Sequence, residues 1–182
     1  MFNKNLERYL NSFGKQVMNR SKSGLQKAKG STALENSINF KVLKTNYGYA
    51  VVFTMDTYGQ FLDKGVSGNK IKRSYKSWSG KTENSPGKGF TTKGPPVDIL
   101  SKWIKKKGIK PKGFKRGRSK NTGQFISGFA YLISRKIKRE GIKSLAFFQK
   151  PLGVAYKTFD TEIETAISKD INELLKGTNF KI

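Results

Sequence analysis

Apolar residues recur every three to four positions in several stretches of this chain and alternate in another. Leu6, Leu10, Phe13 and Val17 fall on one helical face, which Leu25 and Ala28 extend, predicting an amphipathic, core-facing helix over about 4–29. Asn3 or Asn5 is placed to cap it and Gly30 to stop it, while Gly14 and Gly24 weaken its interior. Ile38, Phe40 and Val42 then alternate with Asn39, Lys41 and Leu43, and Tyr47, Tyr49, Val51, Phe53 and Met55 with Gly48, Ala50, Val52 and Thr54. The turn chemistry of Asn46-Tyr47-Gly48 makes these two runs a β-hairpin, and the apolar residues on both faces of the second run place it centrally in a sheet.

Downstream the pattern is less even. Tyr58 to Gly68 reads as a short strand or helical turn ending at glycines, and residues 67–94 as a long loop or irregular hairpin. Pro95-Pro96 opens a short helix with Ile99, Leu100, Trp103 and Ile104 on one face, closed by Lys105, Lys106 and Lys107 before Gly108. A second basic loop, Lys110 to Asn121, leads to a helix carrying Phe125, Phe129, Leu132, Ile133 and Ile137 and stopping at Glu140-Gly141. Residues 142–154 read as a connecting arm. The last helix, about 157–176, bears Phe159, Ile163, Ile167, Ile171 and Leu174, with acids in its first turns and Lys176 in its last. The expected class is α+β: a small antiparallel sheet, the hairpin plus one or two further strands, packed by N-terminal, central and C-terminal helices. A single domain over 1–182 is expected, with 67–124 a basic arm or loop insertion and 142–154 a connecting arm.

Charge changes this picture most. Residues 66–143 carry 22 Lys/Arg against Glu83, Asp98 and Glu140, and Tyr75, Trp78, Phe90, Trp103 and Phe114 are threaded among them. Such a segment suits a negative partner, either nucleic acid or an acidic protein surface. The chain has no cysteine and no histidine, which removes disulfides, thiolate nucleophiles and imidazole metal ligands. It has no apolar run of membrane-spanning length, and its first residues read as a helix start rather than a secretion signal, so a cytoplasm-like compartment is expected.

Catalytic chemistry finds little purchase. Asp56 and Asp63 flank Tyr58-Gly59 and are the carboxylate pair a metal or glycosidase site would need, but no companion motif accompanies them; the simpler role for Asp63 is pairing with a lysine or capping a turn. Gly80-Lys81-Thr82 has Tyr75 where a phosphate loop needs its first glycine. No enzyme activity, cofactor, metal or small-molecule substrate is expected. The candidates for protein-interface or DNA contact are Lys105, Lys106, Lys107, Lys110, Lys112, Lys115, Arg116, Arg118, Lys120, Trp78, Trp103, Phe147 and Phe148. No helix-turn-helix or zinc-finger pattern accompanies the basic residues.

The order of these pieces resembles the tail-completion (neck) proteins of tailed bacteriophages. Tyr58, Phe61, Asp63, Gly65 and Ser67 fall where that family has a tyrosine, an acid and Gly-Thr or Gly-Ser after the hairpin, and Phe147-Phe148 with Pro151 matches its aromatic–proline element before the last helix. Residues 133–143, ISRKIKREGIK, resemble a stretch of ring proteins from podovirus-like phages of gut Bacteroidetes. The insertion between Gly68 and Gly123 is longer and more basic than in minimal members, and Val66 replaces a common Thr or charged residue. The resemblance implies a homo-oligomeric ring at the head–tail junction, meeting portal, adaptor or tail proteins around the packaged double-stranded DNA. The protein would be assembled in the host cytoplasm and carried in the virion neck or tail. The alternative expectation is a non-specific nucleic-acid-binding protein, a packaging or nucleoid-like factor.

Overall fold

The structure is a computed structural model and describes residues 4–28, 32–86, 94–106, 108–109, 116–118 and 125–177. In chain order its elements are α1 (Lys4–Lys27), α2 (Thr32–Ser37), β1 (Asn39–Thr45), β2 (Gly48–Thr54), α3 (Tyr58–Lys64), β3 (Val66–Ser67), β4 (Ser74–Lys76), β5 (Thr82–Asn84), α4 (Val97–Lys106), β6 (Arg116–Arg118), β7 (Phe125–Ser127), α5 (Gly128–Glu140), β8 (Gly141–Ile142), α6 (Gln149–Tyr156) and α7 (Phe159–Gly177). The fold is α+β, and its described strands pair two by two: β1–β2, β3–β8, β4–β5 and β6–β7. Where the pattern predicts one domain, the chain forms two compact units. One holds Met1–Asp63, Lys76–Thr82 and Leu145–Ile182, the other Lys64–Tyr75 and Glu83–Ser144. Most of the region expected to be an insertion, 67–124, joins α5 in the second unit, while its residues 76–82 belong to the first.

In the first unit α1 packs on β1, α6 and α7. Its buried positions, Leu10, Phe13, Gly14, Val17, Ser21 and Leu25, follow the three-and-four spacing of a single face. Gly14, a weak point by helix propensity alone, is where the hairpin comes closest: a Cβ there would collide with the Phe40 ring. The hairpin runs in full register from Asn39↔Thr54 to Thr45↔Gly48. Its turn is closed by Gly48 at φ 137°, a conformation side chains rarely adopt. Among the described residues β2 pairs with β1 alone, so its second apolar face is not that of a central strand; Val52 on that face is exposed. One core cluster gathers Leu25, Leu34, Ile38 and Phe147, and a second Phe13, Val17 and Ala155. Removing a Leu, Ile or Phe side chain from water in this way stabilises by about 1.5–3 kcal/mol.

Two buried carboxylates lock distant helices together in this unit. Asp170 of α7 is 5% exposed and accepts the backbone N–H groups of Asn5 (2.8 Å) and Leu6 (2.9 Å) as well as Asn5 Nδ2 (3.0 Å). The N-terminus of α1 is thus capped from α7, not by its own Asn5 side chain. Burial works to raise the Asp170 carboxyl, but the N–H groups of Asn5 and Leu6 outweigh it and hold the pKa below the ordinary carboxylate value. Asp63 of α3, 3% exposed, accepts the N–H groups of Phe148 (2.8 Å) and Gln149 (3.3 Å) at the start of α6. The backbone joins in, Leu145 N–H donating to the Leu62 carbonyl and Ala146 N–H to that of Asp63.

In the second unit α4 packs on α5, burying Ile104 and Ala130. The central helix, expected to lie on the hairpin sheet, belongs here instead. Gly65, at φ 75°, enters β3 so tightly that a Cβ would stand 2.7 Å from the Ile142 carbonyl oxygen and 2.8 Å from the Ser144 nitrogen. The closing carbonyls of α5 are already occupied. Those of Lys138 and Arg139 accept N–H bonds from Asn69, Lys70 and Ile71, and that of Glu140 accepts Arg73 Nε.

Candidate assembly interface

The first unit holds an open apolar groove of about 630 Å³. It is lined by Leu6, Leu10 and Phe13 of α1, Tyr49, Val51 and Phe53 of β2, Leu152, Tyr156, Phe159 and Ile163 of α6 and α7, and Trp78 from the turn after β4. Four of its aromatic rings form a continuous chain: Phe13 to Phe159 at 4.9 Å, Phe159 to Tyr156 at 4.9 Å and Tyr156 to Trp78 at 4.5 Å between centroids. Trp78 is held by its backbone N–H, which donates to Gln149 Oε1 at 3.0 Å. The residue is nevertheless 44% exposed.

From Ile163 the apolar surface continues along α7. Ile167, Ile171, Leu174 and Leu175 lie at helical spacing and are 40%, 45%, 41% and 60% exposed. Acids flank this stripe: Asp160, Glu162, Glu164 and Glu173 are all exposed on α7. Their field reaches Tyr9 of α1, where burial first, and then Glu162 and Asp160, push the phenol above its ordinary pKa. The second unit is the more strongly basic of the two, with 21 of the 37 Lys/Arg and only 3 of the 12 acids.

The predicted interface residues divide sharply in this frame. Trp78 lines the groove, and Trp103 of α4 is 44% exposed, so both stand at a surface. Lys105 is exposed on α4. Lys106 ends α4, and Arg116 and Arg118 lie on β6, with side chains outside the described set; Lys107, Lys110, Lys112, Lys115 and Lys120 lie outside the described residues altogether. Phe147 is a correction. It is 3% exposed and sits in the core with Leu25, Leu34 and Ile38, so it cannot anchor a partner. Phe148 is half-buried and meets Phe53 edge-on at 5.3 Å. The connecting arm that holds both is no free arm either, since Asp63 ties it down and most of α6 grows from it.

Asp63 answers the carboxylate question in the same way, because its oxygen serves a helix start. Among the described residues no cluster of three or more His, Cys, Asp or Glu could hold a metal ion, and no helix is long and apolar enough to cross a membrane. Sequence reasoning missed Tyr49, Tyr156 and Ile163 as groove residues. Their signal was faint, for Tyr49 and Ile163 read as ordinary core positions of their elements and Tyr156 falls between the expected arm and the last helix.

No protein-family model, no curated protein and no solved structure matches this chain.

Proposed function

We propose that this chain is a structural protein of the head–tail junction of a tailed bacteriophage, a tail-completion or connector subunit that joins copies of itself into a ring around the DNA path. The observation that carries the reading is the joint at Asp63. The two short motifs behind the family resemblance, Tyr58 to Ser67 and Phe147 to Pro151, lie far apart in sequence. Asp63 and Phe148, one from each, are bound directly by the cap of α6. Two motifs that answer one another in the fold are a stronger pairing than either string alone.

The surfaces suit the role. The groove and the α7 stripe give an apolar, acid-rimmed face on the first unit, and the second unit is strongly cationic. A face of one sign on one copy meeting a region of the other sign on the next is a head-to-tail contact, which closes into a ring when the rotation permits. Portal, adaptor or tail proteins are the neighbours such a ring would meet, and the virion neck its location. The second reading, a non-specific nucleic-acid-binding protein, is favoured by the charge of the second unit alone.

Native mass spectrometry of the full chain, alone and with portal and adaptor subunits, tests the assembly. The wild type is expected to give one closed oligomer. Ile167→Lys/Ile171→Lys is expected to stay monomeric with unchanged circular dichroism and melting temperature, since both side chains are exposed in the single chain. A wild type that is monomeric under every condition, or a double variant that assembles as well as the wild type, would sink the reading.

A further inference from the structure

The second unit holds a concavity of about 590 Å³ whose lining is cationic. Arg135, Lys138 and Arg139 reach it from one face of α5, Lys70 and Asn69 from the loop after β3, and Tyr131 stands 53% exposed one turn before Arg135. No carboxylate side chain is among the described residues of its lining. An ion pair on this helix, Arg139 to Glu140 at 2.6 Å, leaves the Arg139 side chain 57% exposed.

Cations at the end of a helix are ordinarily explained by the negative end of its dipole. That explanation is weak here. The carbonyls of residues 138–140 already accept donors from Asn69, Lys70, Ile71 and Arg73, so the partial negative charge that would hold the cations is largely spent. Lys70 beside that end and Arg135, more than a turn before it, therefore add positive charge that the helix end does not call for. Convergent cations in a concave setting focus potential and draw polyanions.

We infer that this pocket binds the sugar–phosphate backbone of nucleic acid, with Lys70 and Arg135 as its phosphate contacts. A single tyrosine is no stacking platform for successive bases, so the contact reads phosphate and not sequence. The choice of duplex DNA as the polyanion rests on the proposed function; the pocket itself does not. Lys70 falls at the start of the basic 67–124 segment and Arg135 beyond its end, so the phosphate contact lies where α5 meets the loop after β3.

The test is fluorescence anisotropy of the full chain with a short duplex of arbitrary sequence across a KCl series. Lys70→Gln/Arg135→Gln is compared with Lys15→Gln/Lys44→Gln, which removes equal charge from exposed positions of the first unit. Each lost phosphate contact lowers the logarithmic salt slope by about one. Between about 50 and 200 mM salt the wild type should therefore lose roughly tenfold more affinity than the pocket variant, while the control variant follows the wild type. Equal behaviour of the two variants, or no duplex binding by the wild type, overturns the inference. So does displacement of the duplex by inorganic phosphate at matched ionic strength, which would make this a small-anion site. If the double variant melts early, Arg135→Gln alone should still lower the slope by about one. Native mass spectrometry of the pocket variant separates the two claims, since intact assembly with lost DNA binding, or the reverse, convicts only one of them.

Discussion

Phe147→Ala is expected to destabilise the chain by about 4 kcal/mol, the cost of emptying a core phenylalanine site. In a chain of this length that is a drop of roughly 10 °C in melting temperature. Phe147 is 3% exposed among Leu25, Leu34 and Ile38, a cluster built from α1, α2 and the entry to the hairpin, so its loss loosens several elements together. Differential scanning calorimetry reads the effect directly. Trp78→Ala is the informative contrast. The residue is 44% exposed at the groove, so its loss should leave most of the stability and weaken self-association instead. A Phe147→Ala variant that melts like the wild type would mean that this aromatic is not in the core.

Asp63→Ala should cost about 3 kcal/mol, because it leaves the buried N–H groups of Phe148 and Gln149 without their charge-assisted acceptor. Asp63→Asn keeps an oxygen in place and should recover roughly half of that loss. Chemical denaturation of the three proteins measures the series. Hydrogen exchange adds the location, with the Phe148 and Gln149 amides losing protection first in the alanine variant. Should asparagine prove as damaging as alanine, the role of Asp63 would lie in its charge toward other groups and not in this cap.

Much of this fold was legible from periodicity. The helices α1, α5 and α7 and the hairpin follow from apolar spacing, but only α1 buries its stripe as a continuous face, while much of the stripe on α7 stays exposed. The arm over 142–154 was not legible, since Phe147 and Phe148 sit among Ser, Gln, Lys and Pro with no period to mark them as core. Their burial is tertiary, imposed by α1 and α2 from the other end of the chain. The same holds for the caps. Asp63 and Asp170 meet partners 85 and 165 residues away, a pairing no local rule can anticipate. The candidate site divided likewise. Trp78 and Trp103 stood out because tryptophan in a polar setting is conspicuous, and both lie at a surface. The groove was missed because five separate segments assemble it, and the cationic pocket because its members look like the ordinary basic end of a helix.

The distribution of charge is what joins these observations. Five of the 12 acids lie on α7 beside an exposed apolar stripe, while the unit built from 64–75 and 83–144 is almost wholly basic. A lone DNA binder needs the second feature but has no use for the first. A subunit that must fit beside its own copies along a DNA path uses both.

Quantitative mass spectrometry of purified virions made by the genome that encodes this chain addresses that role most directly. The chain should be present in every preparation at a low, fixed copy number comparable to the portal's, with cross-links to portal, adaptor or tail subunits and between its own copies. Absence from virions that package DNA and carry complete tails, with the chain found only in the lysate, would contradict it.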